Sequence, residues 1–170
     1  MRRQPVLTEM RLDSGKKWNL AELGGVLGRW LVGGLFIYMG LNKALHPVEF
    51  LKLARQYDLV SNPYLLNGIA AGLPWFEVFC GLLLVAGVAV RGAALMLALM
   101  LVPFSLVVLE RAWGIAATQG IPFCSVKFDC GCGTGEVVIC RKLAENALLL
   151  LLSLWLLSGV GRKLALRFRL

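Results

Sequence analysis

The sequence predicts an all-α integral membrane protein, a four-helix bundle with a cysteine-rich extracytoplasmic loop before the last helix. Hydrophobic residues make up 58% of the 170 residues and the mean hydropathy is +0.73, which is more apolar than a typical water-soluble domain. Apolar runs recur four times, each close to the ~20 residues that a helix needs to cross a bilayer. Charged residues, only 16% of the chain, fall mostly between these runs and at the two ends.

The apolar runs predict a single membrane domain over residues 1–170. We expect spans at about 22–44, 68–90, 92–115 and 138–160, with polar tails at 1–20 and 161–170. The first apolar run is longer than that of a cleavable signal peptide, so we expect it to remain as a span. Arg91 alone separates the second and third spans, which predicts a tight antiparallel pair of helices. Pro47 begins a short amphipathic segment that we expect to form a helix on the membrane surface.

The basic residues predict the orientation of these spans. Eleven of the eighteen Lys and Arg residues lie on one side: five in the N-terminal tail, four in the C-terminal tail, and Arg29 and Arg91. The positive-inside rule therefore places both termini in the cytoplasm of a bacterial inner membrane. This distribution is typical of a membrane topology signal and not of a nucleic-acid groove, so the expected partner is the lipid bilayer and no nucleic acid.

Four cysteines lie between the third and fourth spans, on the predicted outer side: Cys124, Cys130, Cys132 and Cys140. Outside the cytoplasm the environment is oxidising, so disulfides can form and persist there. Four cysteines allow three pairings. A Cys130–Cys132 disulfide would close a very small ring, whose strain makes it easy to reduce. Cys124 and Cys140 would then form a second pair, and two such pairs suit electron relay by thiol exchange. Cys80, alone in the second span, is interpreted as an apolar filler.

Two other interpretations of the four cysteines stay open. Both pairs can be inert cross-links that hold the loop in one shape. Alternatively, four thiolates can bind zinc or another soft metal, although the spacing lacks the usual C-x2-C pattern, so no metal is expected. Asp129 disfavours a thiolate in this loop, whereas Arg141 and Lys142 favour one.

Charged residues within the spans form a second group of candidates. Glu77 lies near the middle of the second span, where a carboxylate is expensive and faces the interior of the bundle. We expect it to be protonated or to pair with Arg29 or Lys43 of the first span. Glu77 would act as a clamp between helices, or as a proton donor or acceptor for a bound quinone or thiol. His46, at the outer end of the first span, is interpreted as a polar residue of the membrane interface.

Polar side chains also occur toward the outer ends of the third and fourth spans: Glu110, Arg111, Glu145 and Asn146. They are expected to be ordinary interface polarity or to form a polar pocket beneath the cysteine loop.

Several short motifs resemble the DoxX-like membrane proteins. They are Gly40-x-x-Lys43 at the end of the first span, Pro47 and Phe50 in the surface segment, Glu77-x-x-x-Gly81-x-Leu83 in the second span, and Arg91 before the third. The loop motif is similar to the MauE branch of that superfamily, the methylamine-utilisation membrane proteins: Asp129-Cys130-Gly131-Cys132-Gly133. The resemblance covers roughly residues 25–160.

The resemblance implies a four-helix membrane bundle that handles disulfides or electrons for an extracytoplasmic thioredoxin-like or disulfide-containing partner. MauE-like proteins are linked to maturation of the disulfide-rich small subunit of methylamine dehydrogenase. A membrane quinone is the electron acceptor that the resemblance suggests, and no other cofactor is expected. The chain departs from the branch because Gly133 stands where phenylalanine is common, and because Cys124 and Cys140 are additional. The predicted function is a membrane thiol–disulfide oxidoreductase or redox adaptor, with a non-catalytic assembly factor and a soft-metal carrier as alternatives.

Overall fold

A computed structural model describes residues 20–57, 62–131 and 135–159. Helices account for 84% of these residues, which confirms the predominantly helical prediction. The α-helices are α1 (Leu20–Leu45), α2 (Pro47–Gln56), α3 (Pro63–Ala86), α4 (Val90–Gln119) and α5 (Ile139–Leu157). A single 3-10 turn (Phe123–Ser125) leads into a two-stranded antiparallel hairpin, β1 (Lys127–Asp129) with β2 (Glu136–Val138). The described part of the chain thus contains five α-helices and a small sheet: α2 occupies the segment that was predicted to form a surface helix, whereas the hairpin was predicted only as a cysteine-rich loop.

Three helices of the described residues, α1, α3 and α4, are long and apolar enough to cross a membrane. At about 1.5 Å per residue each exceeds the ~30 Å thickness of the hydrocarbon core. Large apolar side chains point away from the protein on each of them, and Leu27, Leu82 and Leu99 are all more than half exposed. A multi-pass membrane protein accounts for this apolar surface, because lipid and not water covers it.

The helix ends follow local rules that differ in part from the expected span limits. The Asn62 side chain accepts hydrogen bonds from the backbone N–H groups of the first turn of α3, which lets that helix begin at Pro63, five residues before the expected span. Gly87, with φ of +75°, ends α3 in a left-handed turn. Arg91 consequently lies in the first turn of α4 and not between the helices, and its guanidinium donates to the Ser158 carbonyl oxygen at 3.3 Å.

Helices α1 and α3 pack closely through glycine. A Cβ on Gly33 would lie 2.7 Å from the Gly81 carbonyl oxygen, and a Cβ on Gly40 would lie 2.7 Å from that of Pro74. Small residues at these positions let the two backbones approach, as is common between helices in membranes. This close packing brings the Gly40 end of α1 against the Glu77 level of α3.

Two apolar cores hold the helices and the hairpin together. One lies among the membrane helices and includes Val32, Phe36, Leu84, Leu97 and Leu156. The other lies beneath the hairpin and joins α4 to the start of α5 through Val108, Ala112, Val126, Cys130 and Ile139. The cysteine hairpin is therefore packed on the helices and is not a detached loop.

Candidate functional site

The base of the hairpin is closed by a disulfide between Cys124 and Cys140, whose Cα atoms lie 5.1 Å apart. Cys124 lies in the 3-10 turn just before β1, and Cys140 is the second residue of α5, just after β2. The Ile139 N–H also donates to the Val126 carbonyl oxygen at 3.1 Å, next to the disulfide. This is one of the two cysteine pairs predicted from the sequence, and it anchors both ends of the hairpin at the start of α5.

The tip of the hairpin carries Cys130, which directly follows β1 and is fully buried. Its sulfur is held in a disulfide. Its predicted partner, Cys132, lies outside the described residues. The Asp129 carboxylate accepts a hydrogen bond from the Gly131 N–H at 2.9 Å, and Gly131 has a φ of +75°. Asp129 and Gly131 therefore set the turn in which Cys130 lies, because few other residues adopt that φ without strain.

Arg111 of α4 links this tip to α2 through a set of contacts that we term the Arg111 clasp. Its guanidinium lies 5.2 Å from the ring centroid of Tyr57 and 5.6 Å from that of Phe128 in β1. It also donates to the Gln56 carbonyl oxygen and, at 2.9 Å, to the Gln56 side-chain oxygen. The Tyr57 hydroxyl in turn donates to the Cys130 carbonyl oxygen at 3.0 Å. The Arg111 clasp thus joins α4, the end of α2 and β1 beside Cys130.

Tyr57 is held in its neutral, donating form at this site. Burial raises the pKa of Tyr57 to about 12; the Arg111 charge opposes this rise, and the Asp129 charge adds to it. At neutral pH the phenol therefore keeps the proton with which it holds the Cys130 backbone.

A buried ion pair lies below the hairpin, between α1 and α3. The Lys43 ammonium donates to both carboxylate oxygens of Glu77, at 2.7 and 2.8 Å, and both side chains are at least nine-tenths buried. Of the two partners predicted for Glu77, Lys43 is the one observed. Arg29 is also buried, but it lies nearly four turns away on the same helix, about 20 Å along its axis, and belongs to another level of the bundle.

Two cavities meet at Lys43. The inner cavity lies among α1, α3, α4 and α5 and has a volume of about 30 Å³. Its polar side is lined by Lys43, Glu77, Lys142 and Asn146. The outer cavity has a volume of about 160 Å³ and lies beside the hairpin, against Lys43, His46, Glu49, Asp129 and Gly131. The inner cavity has room for a water molecule or two but not for a quinone ring, since even benzene needs a cavity of about 150 Å³.

The chain matches the family model described as methylamine utilisation protein MauE over residues 21–159. It belongs to the MauE family. That match confirms the MauE part of the resemblance drawn from the sequence, and Gly133 and the additional cysteines do not remove the chain from the family. No curated protein and no solved structure matches the chain significantly.

Several of the predicted polar candidates lie together in this MauE-family chain. Lys43, His46 and Asp129 line the outer cavity, and Glu77 adjoins it through Lys43. His46 precedes α2, and its Nδ1 lies 3.1 Å from the Asn42 carbonyl oxygen. Cys80 is buried in the core of the membrane helices, away from the hairpin cysteines.

Several residues of the site were not predicted as such. Tyr57 and Phe128 gave no signal in the sequence, because single aromatic residues near a membrane surface are common. Lys142 was predicted only to favour a thiolate, and Asn146 only as interface polarity or part of a polar pocket. Their spacing of four residues places both on one face of α5, where they are nearly fully buried. Asn146 also donates to the Ser105 hydroxyl of α4 at 3.1 Å and lines the inner cavity, whereas Glu110, Arg111 and Glu145 do not line it.

Proposed function

We propose that this chain is a membrane thiol–disulfide exchange protein, an oxidoreductase or redox adaptor that acts on an extracytoplasmic partner. The observation that carries the proposal is Cys130: a disulfide-bonded cysteine at the tip of a hairpin whose base carries a second disulfide. Cys130 pairs with Cys132 in this proposal, and the small ring makes that bond the more easily reduced of the two. The family name links the reaction to methylamine utilisation, and the wider DoxX-like relationship stays a prediction from the motifs.

The proposed reaction requires the hairpin to face an oxidising compartment. Four spans with both termini in the cytoplasm of a bacterial inner membrane satisfy this requirement, and the distribution of basic residues supports that orientation. In this arrangement α5 is the fourth span. Leu151 and Leu154, both well exposed on α5, support this assignment because they extend the apolar surface of the other helices. The charges of α5 lie in its first two turns, at the level of the hairpin.

The exchange proceeds in two steps that balance in atoms and electrons. A thiolate of the partner attacks one sulfur of the Cys130–Cys132 bond, forms a mixed disulfide, and expels the other sulfur as a thiolate that takes up a proton. The second partner thiol then displaces the mixed disulfide. The partner loses two electrons and two protons and becomes a disulfide, and the chain gains both and holds two thiols. The partner is a thioredoxin-like or disulfide-containing protein, and a membrane quinone is the proposed final acceptor.

Trapping of the mixed disulfide tests this proposal. Cys130→Ser and Cys132→Ser each leave one reactive thiol without its resolving partner, so acid quenching and alkylation in cells should capture a disulfide-linked complex. Cys80→Ser is the matched control: Cys80 is buried among the membrane helices, and the variant keeps both hairpin cysteines, so any mixed disulfide is resolved and none should accumulate. If neither hairpin variant forms a complex with any protein, the exchange function is wrong.

The second candidate is a non-catalytic assembly factor, which the cross-linked base of the hairpin favours. In that case reductant lowers the thermal stability of the protein without any mixed disulfide or redox phenotype. A soft-metal carrier is a third candidate. Its four-thiolate site would first require reduction of the Cys124–Cys140 bond, because a disulfide sulfur is not a thiolate ligand. Elemental analysis of purified protein distinguishes it.

A further inference from the structure

The Lys43–Glu77 pair is placed where a structural clamp adds little. Helices α1 and α3 already touch at backbone distance through Gly33, Gly40 and Gly81. Removing an ion pair from water costs several kcal/mol per ion by order of magnitude, and well-packed apolar residues often stabilise a protein as well as a buried pair does. An ionisable pair at membrane depth therefore points to a role in ion or proton movement.

The ion pair also lies where the two cavities meet. Lys43 lines both of them, and Glu77 lines the inner one. The inner cavity exceeds the ~10–15 Å³ that one water needs, and its four polar side chains supply enough hydrogen-bond partners to hold one. The outer cavity has room for several waters. Water that filled both cavities would leave only the Lys43 ammonium on the route between the hairpin surface and Glu77.

Lys142 provides the inner end of this route. Its side chain is 4% exposed, and its ammonium lies 3.9 Å from the nearest Glu145 carboxylate oxygen, too far for a hydrogen bond. A buried ammonium needs a hydrogen-bond partner, and Lys142 lines the inner cavity, where a water molecule would supply one. Lys142 lies two residues after Cys140, and Asp129 at the outer end lies next to Cys130, so each end of the route adjoins one disulfide.

We propose that Lys43 and Glu77 form a proton-exchange site that is reached by water through the outer cavity and that serves thiol–disulfide exchange at the hairpin. This inference rests on the proposed function. The site donates a proton to the thiolate expelled in the first step and recovers one from the partner thiol that is deprotonated for the second, so no net proton is consumed. The charged and titratable groups along the route, named from every element that faces it, are Lys43, His46, Glu49, Glu77, Asp129, Lys142 and Glu145.

Infrared difference spectroscopy of the full chain in lipid nanodiscs tests the site directly. One equivalent of a monothiol stops the reaction at the mixed disulfide, when the site has given up its proton and has not yet recovered it. The carboxylate stretching band of Glu77 should then shift, because its ammonium partner has lost a proton, and Glu77→Gln should abolish that shift. Glu110→Gln removes an exposed carboxyl group at the outer end of α4 and should leave the band unchanged. An identical difference spectrum in wild type and Glu77→Gln overturns the inference, even where mixed disulfides at Cys130 still form and the proposed function stands.

A second variant tests the route without touching the ion pair. Leu53→Trp fills the outer cavity that Leu53 lines, so deuteration of the Lys43 ammonium, followed through the Glu77 carboxylate band to which it is hydrogen-bonded, should slow while the frequency of the undeuterated band stays constant. The rate of thiol–disulfide exchange with a model dithiol should fall about a hundredfold in Glu77→Gln, the usual effect of losing a positioned proton donor. Helix content by circular dichroism confirms that each variant is folded. An unchanged deuteration rate in Leu53→Trp overturns the outer route.

Discussion

Removal of the Arg111 clasp should expose Cys130 to small reductants. In Arg111→Met the aliphatic stem remains, but the guanidinium contacts with Tyr57, Phe128 and Gln56 are lost. Each ring contact contributes about 0.5–1 kcal/mol at a partly exposed position. The hydrogen bonds to Gln56 add about 1 kcal/mol. The tip of the hairpin should therefore be easier to open by about 2 kcal/mol, which raises the open population about thirtyfold.

The rate of disulfide reduction at Cys130 measures this population. Cys130 is fully buried, so a water-soluble phosphine reaches its sulfur only in the open form, and the rate follows the open fraction. Purified protein is treated with the phosphine for increasing times, alkylated and digested, and the Cys130 peptide is quantified by mass spectrometry. We expect the rate in Arg111→Met to be about thirtyfold higher than in wild type.

Arg141→Met is the matched control for this experiment. Arg141 undergoes the same chemical change, but its side chain is 81% exposed and its ion pair is with Glu145 in the next turn of α5. Its reduction rate at Cys130 should equal that of wild type. An equal rate in wild type and Arg111→Met would refute the reasoning, because the clasp would then contribute nothing to the closure of the hairpin tip.

Three further predictions concern the helices and Tyr57. Gly33→Ala places a methyl group 2.7 Å from a backbone oxygen of α3 and should lower stability by about 1–3 kcal/mol in thermal unfolding, whereas Gly34→Ala meets nothing within 4 Å and should not; equal losses would contradict the close packing. Lys43→Met leaves a buried carboxylate unpaired and should destabilise by about 3–5 kcal/mol, and Lys43→Met with Glu77→Met should recover most of that loss, so a double variant as unstable as the single one contradicts the ion pair. Because the pKa of Tyr57 is raised to about 12 from an ordinary value near 10, its contribution to stability is complete below pH 10 and is lost as the pH rises through 12. An ultraviolet titration of wild type should show one phenol that ionises at high pH and that is missing from Tyr57→Phe. The absence of such a phenol would contradict this prediction.

The membrane helices could be predicted from the sequence because lipid imposes a single strong rule. A segment in the hydrocarbon core must satisfy its own backbone hydrogen bonds, so a long apolar run is a helix whatever surrounds it. This rule identified α1, α3 and α4. It did not identify β1 and β2, because strands of three residues are too short to show an alternating pattern and are set by the turn at Asp129 and Gly131.

The partner of Glu77 illustrates what the sequence leaves undetermined. Arg29 and Lys43 are both basic residues of the first apolar run, and hydropathy places either of them opposite a carboxylate in the next one. The choice depends on how α1 and α3 align, which the contact of Gly40 with Pro74 and Glu77 fixes in space. The Arg111 clasp was still harder to predict from the sequence, because its three segments meet only after the helices have packed.

The arrangement of the hairpin assigns different roles to its two disulfides. The Cys124–Cys140 bond joins the last turn before β1 to α5, so the base cannot separate while that bond is intact. Cys130 is itself disulfide-bonded, but its burial at the tip depends on non-covalent contacts, among them the hydrogen bond that the Tyr57 hydroxyl donates to its carbonyl oxygen. A partner that breaks those contacts therefore gains access to Cys130 without unfolding the hairpin. In the proposed exchange, a base locked by one disulfide allows the tip to open and close repeatedly. Cys124→Ser with Cys140→Ser should therefore slow the oxidation of a model dithiol, measured by thiol alkylation, even though it makes the hairpin more mobile.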